Sequence, residues 1–205
     1  MKKLIIVAAL VLLSAGAQTQ SKWSKLAGLG GGNLTSSQDQ LAIKFAIANK
    51  HVLEANGNLY DALGLKDQAA QARTEHAALE AGATLDNLKA ADKASKDNRE
   101  AVSAAFKDPP EMDEQAKASF NQGLILLARA LLDYIAMKND VMAFGNSFNN
   151  ASPAMIPRLA TGAYIIVAFP RHIKHLVETL HDAVEFAKAH DIAVPPDATN
   201  ALGAM

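Results

Sequence analysis

The chain contains no cysteine, which excludes disulfides, thiol nucleophiles and thiolate metal sites and leaves packing as the source of stability. Aromatic residues make up only 5% of it, with a single tryptophan, and β-branched runs are equally scarce. A sheet built from such material would have little to pack, whereas abundant alanine favours an all-α class. No run of five like charges occurs and the formal net charge is −1, so nucleic acid is not an expected partner. No Gly-x-Ser-x-Gly motif is present. Gly30-Gly31-Gly32 leads into Asn33 and Leu34 rather than the Gly-Lys-Ser/Thr ending of a phosphate loop. Finally, no charge-free apolar run reaches the ~20 residues that cross a bilayer as a helix, so no transmembrane span is expected.

What is present begins with an export signal. Lys2 and Lys3 precede an apolar run over residues 4–13 and the small residues Ala15-Gly16-Ala17, the layout of a cleavable signal peptide over residues 1–17. The short, lysine-started form points to the bacterial periplasm. Without a cysteine at the cleavage point, an anchor of the bacterial lipoprotein type is excluded. Residues 18–36 read as a flexible lead, with the triple glycine as a hinge. Trp23 and Leu26, flanked by Lys22 and Lys25, are candidates for a lid over a pocket or for a membrane-surface contact.

Residues 37–191 read as one antiparallel helical bundle of about five to six helices, two of them long and central. Thr35, Ser36 and Ser37, with Gln38 and Asp39 three residues after the first two, offer capping-box chemistry at its start. The stripe Leu41, Phe45, Ala48, Val52, Ala55, Leu59, Leu63 holds phase through Gly57, predicting one helix that ends at Gly64 in a left-handed cap. Residues 66–106 are helical but soft in character. Their alanines allow close packing, residues 82–84 divide the segment, and residues 89–100, mostly charge and alanine, are expected to be solvated and weakly held. Pro109-Pro110 stops the element.

Glu111, Asp113 and Glu114 suit the first turn of a long helix reaching to about Phe148. Arg129 and Asp133, one turn apart, are expected to form an ordinary surface pair. Residues 159–187 make the other central helix, with a stripe through Leu159, Ala163, Ile166, Pro170, Ile173, Val177, Leu180, Val184 and Ala187. Its first half, residues 160–169, is apolar almost all the way round, which predicts enclosure by other helices. Residues 192–205 read as a C-terminal tail. A constant offset also matches Ile47, Ala48, Lys50, Ala55, Gly57 and Asn58 with Ile135, Ala136, Lys138, Ala143, Gly145 and Asn146, the pattern expected of duplicated helical hairpins.

Only one cluster invites metal chemistry: His172, His175, Glu178 and His181. Glu-x-x-His is the spacing of di-iron bundles, but those need a second such motif, and three-residue steps turn side chains progressively around a helix. No metal, cofactor or catalytic constellation is therefore assigned. Surplus apolar surface remains the main clue, and it predicts a pocket lined by Phe120, Leu124, Leu127, Leu131, Ile135, Tyr164, Ile166, Phe169 and Ile173, with residues 66–106 opening to admit a ligand. The leading expectation is an exported bundle that binds or shuttles a lipid-like apolar small molecule, such as a sterol, between envelope transport components. The alternative is a periplasmic interaction or accessory protein without a ligand. A metal-binding protein using the histidine cluster is a distant third.

Overall fold

A computed structural model describes residues 33–97 and 99–205. The signal peptide, the Trp23 and Leu26 lid and the glycine hinge lie outside the described residues. Among the described residues there are seven α-helices and one 3-10 turn: α1 (Asn33–Ala62), α2 (Lys66–Ala81), α3 (Leu85–Asp97), α4 (Arg99–Lys107), α5 (Glu114–Phe148), a 3-10 turn (Ile156–Leu159), α6 (Ala160–Ala189) and α7 (Pro196–Gly203). The all-α bundle is as expected from composition and periodicity.

The boundaries have local causes. Gly64 sits at φ 72°, and the Leu65 N–H reaches back to the Tyr60 carbonyl at 2.7 Å, closing α1 in the left-handed cap that only glycine adopts without strain. α2 and α3 part at residues 82–84. There the Asn87 side chain donates to the carbonyls of Ala78 and Gly82 while Thr84 Oγ1 accepts from the Asn87 N–H, so both helix ends are satisfied by one asparagine. After Pro109-Pro110, Asp113 is the N-cap of α5, accepting from the Ala116 N–H at 2.8 Å.

α1 and α5 form the central pair. They run antiparallel, as His51–Asp133 at 2.6 Å and Lys44–Asp140 show along one edge. Near the other end, a Cβ added to Gly123 would lie 2.7 Å from Leu59 Cγ and 3.2 Å from the Ala55 carbonyl oxygen; glycine is what lets the two backbones approach. Asp133 is thus engaged across the interface with His51, not in a surface pair with Arg129, because α1 comes close enough to offer a partner from another helix. Gln38 also departs from its expected capping role. α1 already begins at Asn33, inside the expected lead, and the buried Gln38 amide accepts from the Gly162 N–H and donates to the Arg158 carbonyl, pinning α1 to the start of α6.

α6 packs antiparallel to α5, with Phe144 against Gly162 and Tyr134 against Phe169. The enclosure expected for residues 160–169 is corrected: Val167 is 74% exposed, and Ala160 and Pro170 also face water. The buried face instead runs through Leu159, Gly162, Ile165, Ala168, Phe169, Leu176, Leu180, Ala183 and Val184. A segment apolar on every side gives no phase to its stripe, so spacing alone could not say which face turns inward. The expected tail is corrected as well, since it contains α7. Ala198 and Ala201 of α7 are buried, and the Asn121 side chain of α5 donates to the Ala193 carbonyl just before it.

Candidate functional site

Phe45 is fully buried on α1, and its ring meets Tyr134 of α5 edge-on at 5.7 Å, Tyr164 of α6 at 6.4 Å and His172 of α6 at 5.1 Å. These aromatics make a rigid floor beneath one carboxylate, Asp92 of α3. Asp92 Oδ2 accepts from the Tyr164 hydroxyl at 3.1 Å and from Arg171 Nη2 at 2.6 Å. Its other oxygen lies 3.0 Å from His172 Nε2, close enough for an ion pair but without the alignment of a hydrogen bond, since the buried Nε2 has no hydrogen-bond partner among the described residues. The opposite ring nitrogen, Nδ1, meets the Tyr134 hydroxyl at 2.9 Å.

The electrostatics follow from this crowding. Burial alone pushes Asp92 upward, but the close approach of His172, the charge of Arg171 and the Tyr164 hydroxyl outweigh it and hold the carboxyl at about 2. Tyr134 and Tyr164 move the other way. Both phenols are raised, first by burial and then by the nearby Asp92 charge; they stay protonated as donors.

Beside this cluster a cleft of about 580 Å³ opens between α1, α3, α5 and α6, within the ~300–1,000 Å³ typical of small-molecule sites. Val52 and Leu59 of α1, Leu127 of α5, Val102 of α4 and Leu176 of α6 give it apolar walls. Its rim carries Lys89, Lys93 and Lys96 of α3 together with Arg171 and His175 of α6. Asn56 also lines it. That residue is only 7% exposed.

Of the nine residues expected to line a pocket, the structure brings only Leu127 to this cleft. Phe120, Leu124, Leu131 and Phe169 are packed in the solid core. Tyr164 is spent on Asp92. Ile135, Ile166 and Ile173 are partly buried residues resting against the core. Residues 89–100, expected to be solvated, are corrected over α3: Ala91 and Ala94 are buried and Asp92 ties the helix to α6. Spacing did hold a signal for the site that was missed. Lys89, Asp92, Lys93 and Lys96 fall at i, i+3, i+4 and i+7, one face of a helix.

The four residues of the metal alternative point to different tasks. His172 turns in toward Tyr134 and Asp92, His175 faces Glu178 at 3.4 Å, and His181 is exposed. Among the described residues no three His, Asp or Glu side chains converge as a metal site would require. Nor is any described helix long and apolar enough to cross a membrane. In comparisons with protein-family models, curated proteins and solved structures, nothing matches this chain.

Proposed function

We propose that this is an exported binding protein that holds a lipid-like small molecule in the cleft between α1, α3, α5 and α6, and that its role is carriage rather than catalysis. One observation carries the reading: a cleft of about 580 Å³ with apolar walls also has the polar side chain of Asn56 in its lining. A ligand with one polar group and an apolar body can meet the Asn56 amide while covering Leu59 and Leu127. The two-ended lining favours an amphiphile over a wholly apolar molecule. A sterol, with a single hydroxyl, remains within that class. Export through the signal peptide places such a carrier in the periplasm.

The test is extraction of the native protein followed by mass spectrometry, with uptake of a fluorescent acyl probe by stripped protein as a second measurement. Wild-type protein is expected to release an amphiphile at near-stoichiometric yield and to take up the probe. Val52→Trp, which fills the cleft from its half-exposed wall, is expected to do neither while keeping its helical circular dichroism. Extracts at background level together with no probe uptake by wild-type protein would overturn the reading.

An accessory protein without a ligand is the second reading. It is favoured by Val167, Met142 and Ile156, large apolar side chains left exposed on α6, the end of α5 and the 3-10 turn between them.

A further inference from the structure

We infer that the molecule carried is a single-chain amphiphile whose long, unbranched chain does not end in the cleft described above but continues beneath α4 into a second cavity, so that one ligand occupies both. The inference rests on the binding reading above and adds the kind of apolar body the ligand has.

The second cavity, of about 460 Å³, lies between α4 and the last turns of α6. Its apolar lining is Val102 and Phe106 of α4 with Phe186 and Ala189 of α6. Phe106 stacks on Phe186 at 4.7 Å and His190 stacks on Phe186 at 4.1 Å, which gives the cavity a flat aromatic wall. Phe186 is itself buried and stacked on Phe120 of α5, so that wall is fixed to the core. Two of the carboxylates at its edge, Glu178 and Glu185, are engaged by Lys174, His175 and Lys188 of α6 itself.

The two cavities adjoin. Val102 of α4 and Thr179 of α6 line both of them, so the boundary is a constriction between two half-buried side chains on different helices. The α6 linings also fall in one stripe. His172, His175, Leu176 and Thr179 run along the first cavity, and Thr179, Phe186 and His190 along the second, at i, i+3, i+4, i+7, i+14 and i+18. Those offsets stay on one face of a helix. The cavities are therefore successive stretches of a single groove, ~27 Å long at the ~1.5 Å rise per residue of a helix.

A groove that is long, constricted at its middle and apolar on either side of the constriction is matched by a flexible chain. A rigid ring system fills one cavity without crossing to the other. A chain laid beneath α4 also covers Val102 and Phe106, which the protein alone leaves half-buried, and apolar area removed from water is what drives such binding.

Displacement of the fluorescent acyl probe from the native protein by octyl-, dodecyl- and hexadecylphosphocholine, each below its micelle concentration, tests the inference. The three share one head and differ only in the chain, and each methylene taken out of water tightens binding by up to about fourfold. Hexadecylphosphocholine is expected to bind at least tenfold more tightly than dodecylphosphocholine. Ser103→Trp and Ala189→Trp fill the second cavity from exposed positions on α4 and α6. In each variant that gain is expected to fall below threefold while octylphosphocholine binds as it does to wild type. Circular dichroism checks the fold, and with substitutions on two different helices either variant suffices. A hexadecyl chain bound no more tightly than a dodecyl one, a gain that survives in the folded variants, or equal weakening of all three chains would overturn the two-cavity ligand and leave the first cleft as the binding site. Absence of probe uptake by wild-type protein would overturn the binding reading itself.

Discussion

Asp92 shows how much one side chain can decide. It is the point at which α3 is joined to α6, and the carboxyl's descent from 3.8 to about 2 measures how strongly its neighbours prefer the ionised form. The corresponding contribution to stability is about 2 kcal/mol. Because the folded value lies below the unfolded one, that contribution is complete above the unfolded value and fades as pH falls through about 2. Asp92→Asn is accordingly expected to lower the unfolding free energy by about 2 kcal/mol at pH 7 in urea titrations, and the gap between variant and wild type is expected to close between pH 4 and pH 2. A gap that persists unchanged at pH 2 would show that the carboxylate's charge is not what α6 responds to. None of this was readable from the sequence, where Asp92 is separated from Tyr164, Arg171 and His172 by two intervening helices and a 3-10 turn, and an aspartate among lysines looks solvated.

Among the elements, α3 and α4 are the part of the bundle with least holding them. α3 contributes alanines and one leucine to the core, and α4 is held by Val102, Ala105 and Phe106, the last stacked on Phe186 at 4.7 Å. α1 and α5, in contrast, bury large side chains along their whole interface. Amide hydrogen exchange should therefore be fastest in α3 and α4 and slowest in the middle of α1 and α5, and addition of a bound amphiphile should slow exchange in α3 and α4 specifically. Uniform exchange rates across the four helices would remove α3 and α4 as the route of entry. Element boundaries were the most legible feature of the sequence: Gly64, residues 82–84 and Pro109-Pro110 each act through backbone chemistry that needs no tertiary partner. The facing of the helices was less so. In α6 the expected stripe and the buried one merge only from Leu180 onward, where charged residues mark the outer side. The suggested duplication illustrates the same limit, because Ala48 and Ala55 are buried while their matches Ala136 and Ala143 are exposed; identical letters occupy unlike surroundings.

For the molecule as a whole, stability rests on helix packing and a few ties between distant helices, among them Gln38 to Gly162 and Asp92 to Arg171, with no covalent cross-link. A ligand that binds only the folded chain adds to this by mass action, about 2.7 kcal/mol at a hundredfold excess over its dissociation constant. For a domain of this size that corresponds to a rise of roughly 5–10 °C in Tm. Differential scanning calorimetry with the fluorescent acyl probe is expected to show such a rise in wild-type protein, and a smaller one in Val52→Trp at the same concentration. No rise at saturation would mean that the probe binds folded and unfolded chains alike.

The junction of Asp92 with Arg171, Tyr164 and His172 has a kinetic corollary. Since that knot gathers polar ties between α3 and α6 into one place, parting the two helices resembles releasing a clasp more than easing apart a zip: partial separation recovers little, and full separation exposes several unmatched groups together. Traffic into and out of the interior should then occur in rare, brief openings whose frequency depends on how tightly the clasp is fastened.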